Sequence, residues 1–237
     1  MSRNGLLAVS ALTSHGHGIW VGDEDGVEPL ALRGKAAPGM GGNVFGGFAG
    51  INRVNDHGDT AFVGRVDYLE GARYGIWVGQ PGHVEKVIAE GDPLPGTPDR
   101  LVRLPFPNPH LSDRGDVAFL GLRTNEPYLD NGGDGIWAGG PGHLSLIAER
   151  GDVVELDDGL EKTIDRLFFP YHYRGGRMAS TFSDGNELLY QARFTDGTYA
   201  LLVSTVHTPE PSGALLLCAI GAAASLRRRR TSHHASE

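Results

Sequence analysis

Three short segments hold all three tryptophans of the chain: Gly18-Ile19-Trp20-Val21-Gly22, Gly75-Ile76-Trp77-Val78-Gly79 and Gly135-Ile136-Trp137-Ala138-Gly139. The tryptophans are 57 and 60 residues apart. A sequence that returns to the same context at a near-constant period folds as a tandem array, in which each unit buries an apolar face against its neighbour. This one feature excludes most single-core folds.

Two further motifs keep the same phase. Asn55-Asp56-His57-Gly58-Asp59-Thr60-Ala61-Phe62 matches Ser112-Asp113-Arg114-Gly115-Asp116-Val117-Ala118-Phe119. Ser2-Arg3-Asn4-Gly5 opens the chain in the same register, and Ser183-Asp184-Gly185-Asn186 is a degenerate fourth copy. Asn186 stands where the others have Gly, and both residue types tolerate positive φ. Tyr199-Ala200-Leu201-Leu202-Val203 faintly echoes Tyr74-Gly75-Ile76-Trp77-Val78. After each tryptophan, Gly34, Gly91 and Gly151 fall 14 residues on, and Pro38-Gly39 and Pro95-Gly96 follow.

Each unit reads as about four strands: a short leading strand, the Ala-Phe strand (Thr60 to Val66), the Gly-Ile-Trp strand, and one ending in Ile-Ala-Glu (Val84 to Ala89). Turn residues separate them at close spacing. The 36 glycines and 14 prolines, with no collagen period, fit short strands and tight turns. The expected fold is all-β, with tandem four-stranded units over residues 1–207 in a propeller-like and incomplete array, plus a short C-terminal apolar helix within 208–237. A four-bladed ring closed by both termini and an open β solenoid are the alternatives.

The repeat explains most candidate residues. Trp20, Trp77 and Trp137, with Phe62 and Phe119, are expected as repeat core rather than a sugar-stacking platform. Asp23-Glu24-Asp25-Gly26, Asp56-His57-Gly58-Asp59 and Asp130-Asn131-Gly132-Gly133-Asp134 invite a calcium reading, but match no calcium-loop spacing and are ordinary turn chemistry. His83 and His143 each follow Pro-Gly in a hairpin. No Cys or carboxylate completes a zinc spacing with His15 and His17. Arg150-Gly151-Asp152 aligns with Glu90-Gly91-Asp92 and reads as a shared turn. No Gly-x-Ser-x-Gly elbow is present. No metal, cofactor or catalytic residue is therefore expected, and the chain is read as non-enzymatic. The net charge of −8, with the only basic cluster in the tail, argues against nucleic acid as a partner. The single cysteine, Cys218, allows no disulfide within the chain.

The C-terminus has its own grammar. Pro209-Glu210-Pro211 precedes 14 uncharged residues, Gly213 to Leu226 with Leu215 among them, and Arg227-Arg228-Arg229-Arg230 follows. As a helix the run spans about 21 Å, short for a bilayer core of about 30 Å. The arginines favour the cytoplasmic side. This order resembles a PEP-CTERM sorting segment, and the body resembles NxxGxxAF-type tandem repeats. The resemblance implies export, anchoring in the inner membrane, processing by an exosortase-type enzyme and release to the cell surface or an exopolysaccharide-rich biofilm matrix. It also implies an N-terminal signal peptide. Met1 to Leu7 is not one, so a start site placed too far downstream, or a truncated gene, is expected. The leading expectation is a structural or interaction protein; the alternatives are a propeller-type carbohydrate-binding module and a polysaccharide hydrolase or lyase.

Overall fold

The computed structural model describes residues 2–68, 71–104, 108–123, 134–157, 159–170 and 181–206. Among these residues there are seventeen strands and no helix. The strands form four antiparallel sheets laid down one after another along the chain.

The first sheet holds β1 (Leu7–Thr13), β2 (Gly16–Asp23) and β3 (Gly26–Leu32). The second holds β4 (Phe45–Val54), β5 (Thr60–Tyr68), β6 (Gly71–Gln80) and β7 (His83–Ala89). The third holds β8 (Pro93–Leu94), β9 (Thr97–Arg103), β10 (His110–Leu111), β11 (Val117–Arg123), β12 (Gly135–Gly139) and β13 (Ser145–Glu149). The fourth holds β14 (Val153–Glu155), β15 (Glu161–Phe168), β16 (Glu187–Phe194) and β17 (Tyr199–Thr205).

Pairing makes the sheets equivalent. Val9 faces Trp20, Phe62 faces Trp77, Phe119 faces Trp137 and Tyr190 faces Leu202. The fourth sheet is thus a true copy with Leu202 at the tryptophan position. A bulge recurs between Ile and Trp in the first three sheets, at Ile19/Trp20, Ile76/Trp77 and Ile136/Trp137. It inserts one residue, Leu30, Val87 or Ile147, into the following strand and sharpens the twist.

The expectation of four strands per unit needs two corrections. Among the described residues the first sheet has no leading strand, so β1 is an edge. The links between units also form short ladders of their own: the Ala36–Val44 bridge, β8 with β9, and β14 with β15. Runs of two or three residues are too short for alternation to signal a strand.

The link geometry explains the third motif. Gly34, Gly91 and Gly151 take φ of 79°, 91° and 92°. Their N–H groups donate to Phe45, Val102 and Ile164 carbonyls at 2.7, 3.1 and 2.8 Å. Each glycine therefore ties the last strand of one sheet to the leading strand of the next. At φ near 90° a side chain would be strained.

Three cores lie between successive sheets. Ile19, Val21 and Leu30 meet Phe45, Phe62 and Trp77. Val63, Ile76 and Val78 meet Val102, Phe119 and Trp137. Leu120, Ile136 and Ala138 meet Ile164, Leu188 and Tyr190. The second, third and fourth sheets thus each have a front, carrying aromatic residues, that packs on the aliphatic back of the sheet before it. Pro209, Glu210, Pro211, Gly213, Leu215, Leu226 and Arg227 to Arg230, which the sequence suggests as a sorting segment, lie with the expected apolar helix outside the described residues.

Candidate functional site

The two recurring features most able to form a site are the tryptophan seats and the turns between leading and Ala-Phe strands. In the second and third sheets the indole lies across a pair of facing glycines, Gly64 with Gly75 and Gly121 with Gly135. A Cβ at Gly75 would sit 2.7 Å from Trp77 Cη2, and one at Gly135 would sit 2.5 Å from Trp137 Cη2. This is why Gly precedes Ile-Trp: glycine leaves a trough that the ring fills. Phe62 and Phe119 complete each seat, nearly parallel to the indole at 17° and 18° with centroids 6.1 Å apart. The indole N–H groups donate to loop carbonyls, Trp77 Nε1 to Pro38 O at 3.0 Å and Trp137 Nε1 to Pro95 O at 3.2 Å.

Both indoles are fully buried. They serve packing, and no face is open for a sugar to stack on. Trp20 is seated differently. Ala11 replaces the facing glycine, and the indole turns Nε1 toward Gly18, 3.4 Å from a Cβ built there. That N–H is buried and has no partner.

The four turns are one structure. Gly58, Gly115 and Asn186 donate N–H to the carbonyls of Asn55, Ser112 and Ser183 at 3.2, 3.1 and 3.1 Å. Asn55, Ser112 and Ser183 in turn bond the carbonyls of Asp59, Asp116 and Glu187. Gly5 and Ser2 repeat the pattern at the start of the chain. Gly5, Gly58, Gly115 and Asn186 have φ of 85°, 88°, 84° and 60°. This is a type I turn closed by a left-handed residue. Asn186 keeps the geometry because Asn tolerates that region. Its side chain also reaches across, from Nδ2 to Asp116 Oδ2 at 3.1 Å.

These turns meet one another. Asn4 Nδ2 donates to Asp56 O at 2.9 Å, and Asn55 Nδ2 to Ser112 O at 3.2 Å. Arg3 donates its backbone N–H to Asp56 Oδ1 at 2.6 Å and its Nη2 to Asp184 Oδ2 at 3.1 Å. Arg3, Asp56, Asp113 and Asp184 hold the same place in the four motifs, so one arginine sits among three aspartates. The carboxyls of Asp113 and Asp184 influence one another electrostatically. Burial and then Asp184 push the Asp113 carboxyl up, while Asp113 and Arg3 hold Asp184 down. The sequence carried a signal for this cluster in the opposite charge of Arg3 at a shared position, but the contact itself is long-range.

A polysaccharide-cleaving site would place two carboxylates about 5–10 Å apart across a cavity. Here the carboxylates of Asp56 and Asp184 both pair with a well-exposed Arg3. A depression of about 180 Å³ lies elsewhere, at the link between the first two sheets, lined by Pro29, Leu30, Leu32, Pro38, Phe45 and Val84.

The remaining sequence candidates fall into structural roles. Asp23 Oδ1 accepts from Asp25 N at 3.0 Å, an ordinary Asx turn; residues 130–133 lie outside the described residues. No three His, Cys, Asp or Glu side chains converge as a metal would require, among the described residues. His143 Nε2 lies 2.9 Å from Gly140 N and 3.2 Å from Asp116 Oδ1, and its counterpart His83 faces Glu85. His15 packs on Trp20 while His17 meets Ser10 and Phe48, so the two do not converge. Within Arg150-Gly151-Asp152, Asp152 Oδ2 caps Glu149 N at 2.9 Å, as Asp92 caps Ala89 N at 2.8 Å.

One residue escaped the sequence reading. His110 is buried between sheets, with Nδ1 2.8 Å from Thr181 Oγ1 and its ring 4.2 Å from that of Phe169. Burial, then the charge of Arg53, lowers it to about 3.

A family model spans residues 4–215, from the first turn past the fourth sheet. The chain belongs to DUF7453, a family of unknown function. No curated protein and no solved structure matches it. The family span takes in all four sheets and the turns that carry Asp56, Asp113 and Asp184, so the four-unit body lies within one family domain.

Proposed function

We propose that this chain is an exported structural or interaction protein of the cell surface or extracellular matrix, sorted through its C-terminal segment by an exosortase-type system. One observation carries the reading of the body: every recurring residue has an architectural role. The tryptophans and phenylalanines fill seats, the glycines make troughs, turns and ties, and the repeated aspartates cap turns or meet the neighbouring turn. A repeat used wholly for packing suits a scaffold that presents surfaces rather than one that performs chemistry. The four sheets are arranged as a propeller-like array about the meeting point of their turns. Supporting this are the contacts from Arg3 to both Asp56 and Asp184, which bring the first and fourth units together at one end.

The reading of the tail rests on residues 209–230 as a sequence: the Pro-Glu-Pro spacer, the uncharged run and the arginine cluster. Four adjacent charges suit a cytoplasmic membrane surface better than a core. Exopolysaccharide and the processing enzyme are the partners this assignment calls for. The test expresses the chain behind a working export signal, next to a chain ending at His207, in hosts with and without an exosortase. Tail-dependent membrane association, and exosortase-dependent release, are expected. Identical fractionation of both chains in both hosts overturns the sorting assignment.

A further inference from the structure

One corner of the fourth sheet departs from its counterpart in the second. Ile164 and Arg166 flank a bulge at Asp165 where β15 pairs with β16, as Phe45 and Gly47 flank Gly46 where β4 pairs with β5. Arg166 therefore faces Arg193, and Gly47 faces Arg65. Across the next pairing Arg193 faces Tyr199 and Arg65 faces Tyr74. In the second sheet the corner is balanced: Arg65 Nε lies 3.0 Å from Asp67 Oδ1, and Arg65 Nη2 donates to Gly46 O at 3.4 Å. In the fourth sheet three arginines gather about one carboxylate. Arg193 donates Nε to Asp165 Oδ2 at 3.0 Å and adds a second bond from Nη2. Arg150 Nε stands 3.8 Å from Asp165 Oδ1. The bond from Arg193 foremost, and then the charges of Arg193, Arg150 and Arg166, hold the Asp165 carboxyl below its usual range against its partial burial. Among the described residues the Arg166 guanidinium makes no hydrogen bond or ion pair of its own.

Packing does not require this concentration of charge. Like charges facing each other across strands are destabilising, and Arg166 with Arg193 is such a pair; Gly47 with Arg65 fills the same register without it. Arg150 holds the place of Glu90 in the preceding link, whose carboxylate accepts from Tyr74 N and Leu104 N at 3.0 and 3.1 Å. Three guanidinium charges against one carboxylate leave +2 at this corner, in a chain whose net charge is −8. The corner is open to solvent: the Arg150 side chain is 43% exposed and Tyr199 is 57% exposed. It lies at the rim of the sheet and outside the junction. The equivalent Arg65 side chain stays 40% exposed although the third sheet packs on the back of the second. Access at this position thus does not depend on which sheet stands at the end of the array.

We propose that Arg150, Arg166, Arg193 and Tyr199 form a binding site for the carboxylate groups of an acidic polysaccharide. A guanidinium presents its N–H donors in a planar fork that matches a carboxylate. Asp165 gathers the cluster and occupies Arg193, which leaves donors of Arg150 and Arg166 for a ligand. A sugar acid carries its carboxylate on a ring whose C–H face is apolar. The ring lies on Tyr199 while the carboxylate meets the arginines. The side chain of an acidic peptide has no such face beside its charge. The local inversion of sign also draws a polyanion to this corner of an otherwise acidic molecule. The choice of a polysaccharide deepens the matrix assignment and rests on it; the arrangement of arginines and tyrosine does not.

The probe is an end-labelled oligogalacturonate, titrated with the purified full chain at low salt and followed by fluorescence polarisation. Saturable binding that fades with added salt is expected. Arg166→Ala is expected to weaken it about tenfold, the value of a hydrogen bond to a charged group. That side chain makes no bond within the described residues, so its loss spares the fold. Arg150→Gln and Tyr199→Leu are each expected to weaken binding as well. Arg65→Ala, at the balanced corner of the second sheet, is expected to leave it unchanged. Absence of saturable binding overturns the proposal. Equal binding of a neutral dextran oligomer overturns the role of the carboxylate. Polyglutamate bound as tightly as the sugar acid reassigns the corner to acidic protein segments and overturns the saccharide assignment. Arg166→Ala binding like the parent chain places the contact elsewhere and overturns the site. The readout is binding by the isolated chain, so failure here is distinct from failure of the sorting assignment, which fractionation reports.

Discussion

Trp20 and Trp77 occupy the same register on equivalent strands, yet one is a finished seat and the other is not. Trp77 lies in a glycine trough, stacks on Phe62 and donates to Pro38 O. Trp20 faces Ala11 and Val9 and leaves its N–H unpaired. The local sequence Gly-Ile-Trp-Val-Gly is identical in both. What differs is the leading strand with its loop, which reaches the seat from outside the motif. Trp20 is itself buried, so what the junction supplies is the finished seat: the trough, the stacking ring and the acceptor for the indole N–H.

Truncating the tryptophans separates the two cases most sharply. Trp77→Ala and Trp137→Ala are each expected to cost about 3–5 kcal/mol, as aromatic truncations in packed cores do. Trp20→Ala is expected to cost clearly less. Urea unfolding of the three variants measures this, and equal losses would remove the distinction. The trough is the next target. Gly64→Ala would put a Cβ 2.6 Å from Phe45 Cε1 and 2.8 Å from Trp77 Cζ3, an overpacking worth about 1–3 kcal/mol. The register equivalent Ala11 already bears a Cβ, so Ala11→Gly is expected to cost only the smaller entropic penalty of about 0.5–1 kcal/mol.

His110 tests a junction that the first sheet does not share, since its neighbours belong to the second and fourth sheets. Its folded value of about 3 lies below the ordinary 6.5. The unfolded chain therefore binds the extra proton between these limits. The stability from neutral His110 is complete above about pH 6.5 and is lost as pH falls toward 3, at up to about 1.4 kcal/mol per pH unit. Unfolding midpoints measured between pH 7 and pH 5 should show this slope, and His110→Gln should flatten it. A slope unchanged in that variant would assign the acid sensitivity to other groups.

Smaller effects belong to the turns. Gly115→Val is expected to lose about 1–2 kcal/mol through left-handed strain, and Gly115→Asn much less, because Asn186 already serves at that position. The smallest change is expected for Arg3→Ala, whose ion pairs with Asp56 and Asp184 are solvent-exposed. Its effect should fade with added salt, and a salt-independent loss would show that Arg3 does more than balance charge.

These comparisons also mark how far the sequence could be read. The Gly-Ile-Trp strands, the four turns and the buried Phe62, Phe119, Trp77 and Trp137 were legible because each is a local pattern repeated in phase. The leading strands were not. β4 is broken by irregular pairing at Phe45/Gly47 and Ala49/Arg53, and its counterparts β9 and β15 share no residue pattern with it. β10 is only two residues long. The recurring bulge at Ile-Trp was hidden because one extra residue in a strand looks like a small insertion. The meeting of Arg3 with Asp184, and the seat of His110, depend on packing between distant segments, which periodicity does not report.

The tie made by Gly34, Gly91 and Gly151 has a consequence for how such chains change length. Each tie hands the chain from the back of one sheet to the strand that will front the next, so the stretch between two ties carries one complete pair of mating surfaces. Duplicating or deleting that stretch adds or removes a whole junction and leaves every other junction with its own partner. The outermost faces would then be the same two surfaces whatever the number of units.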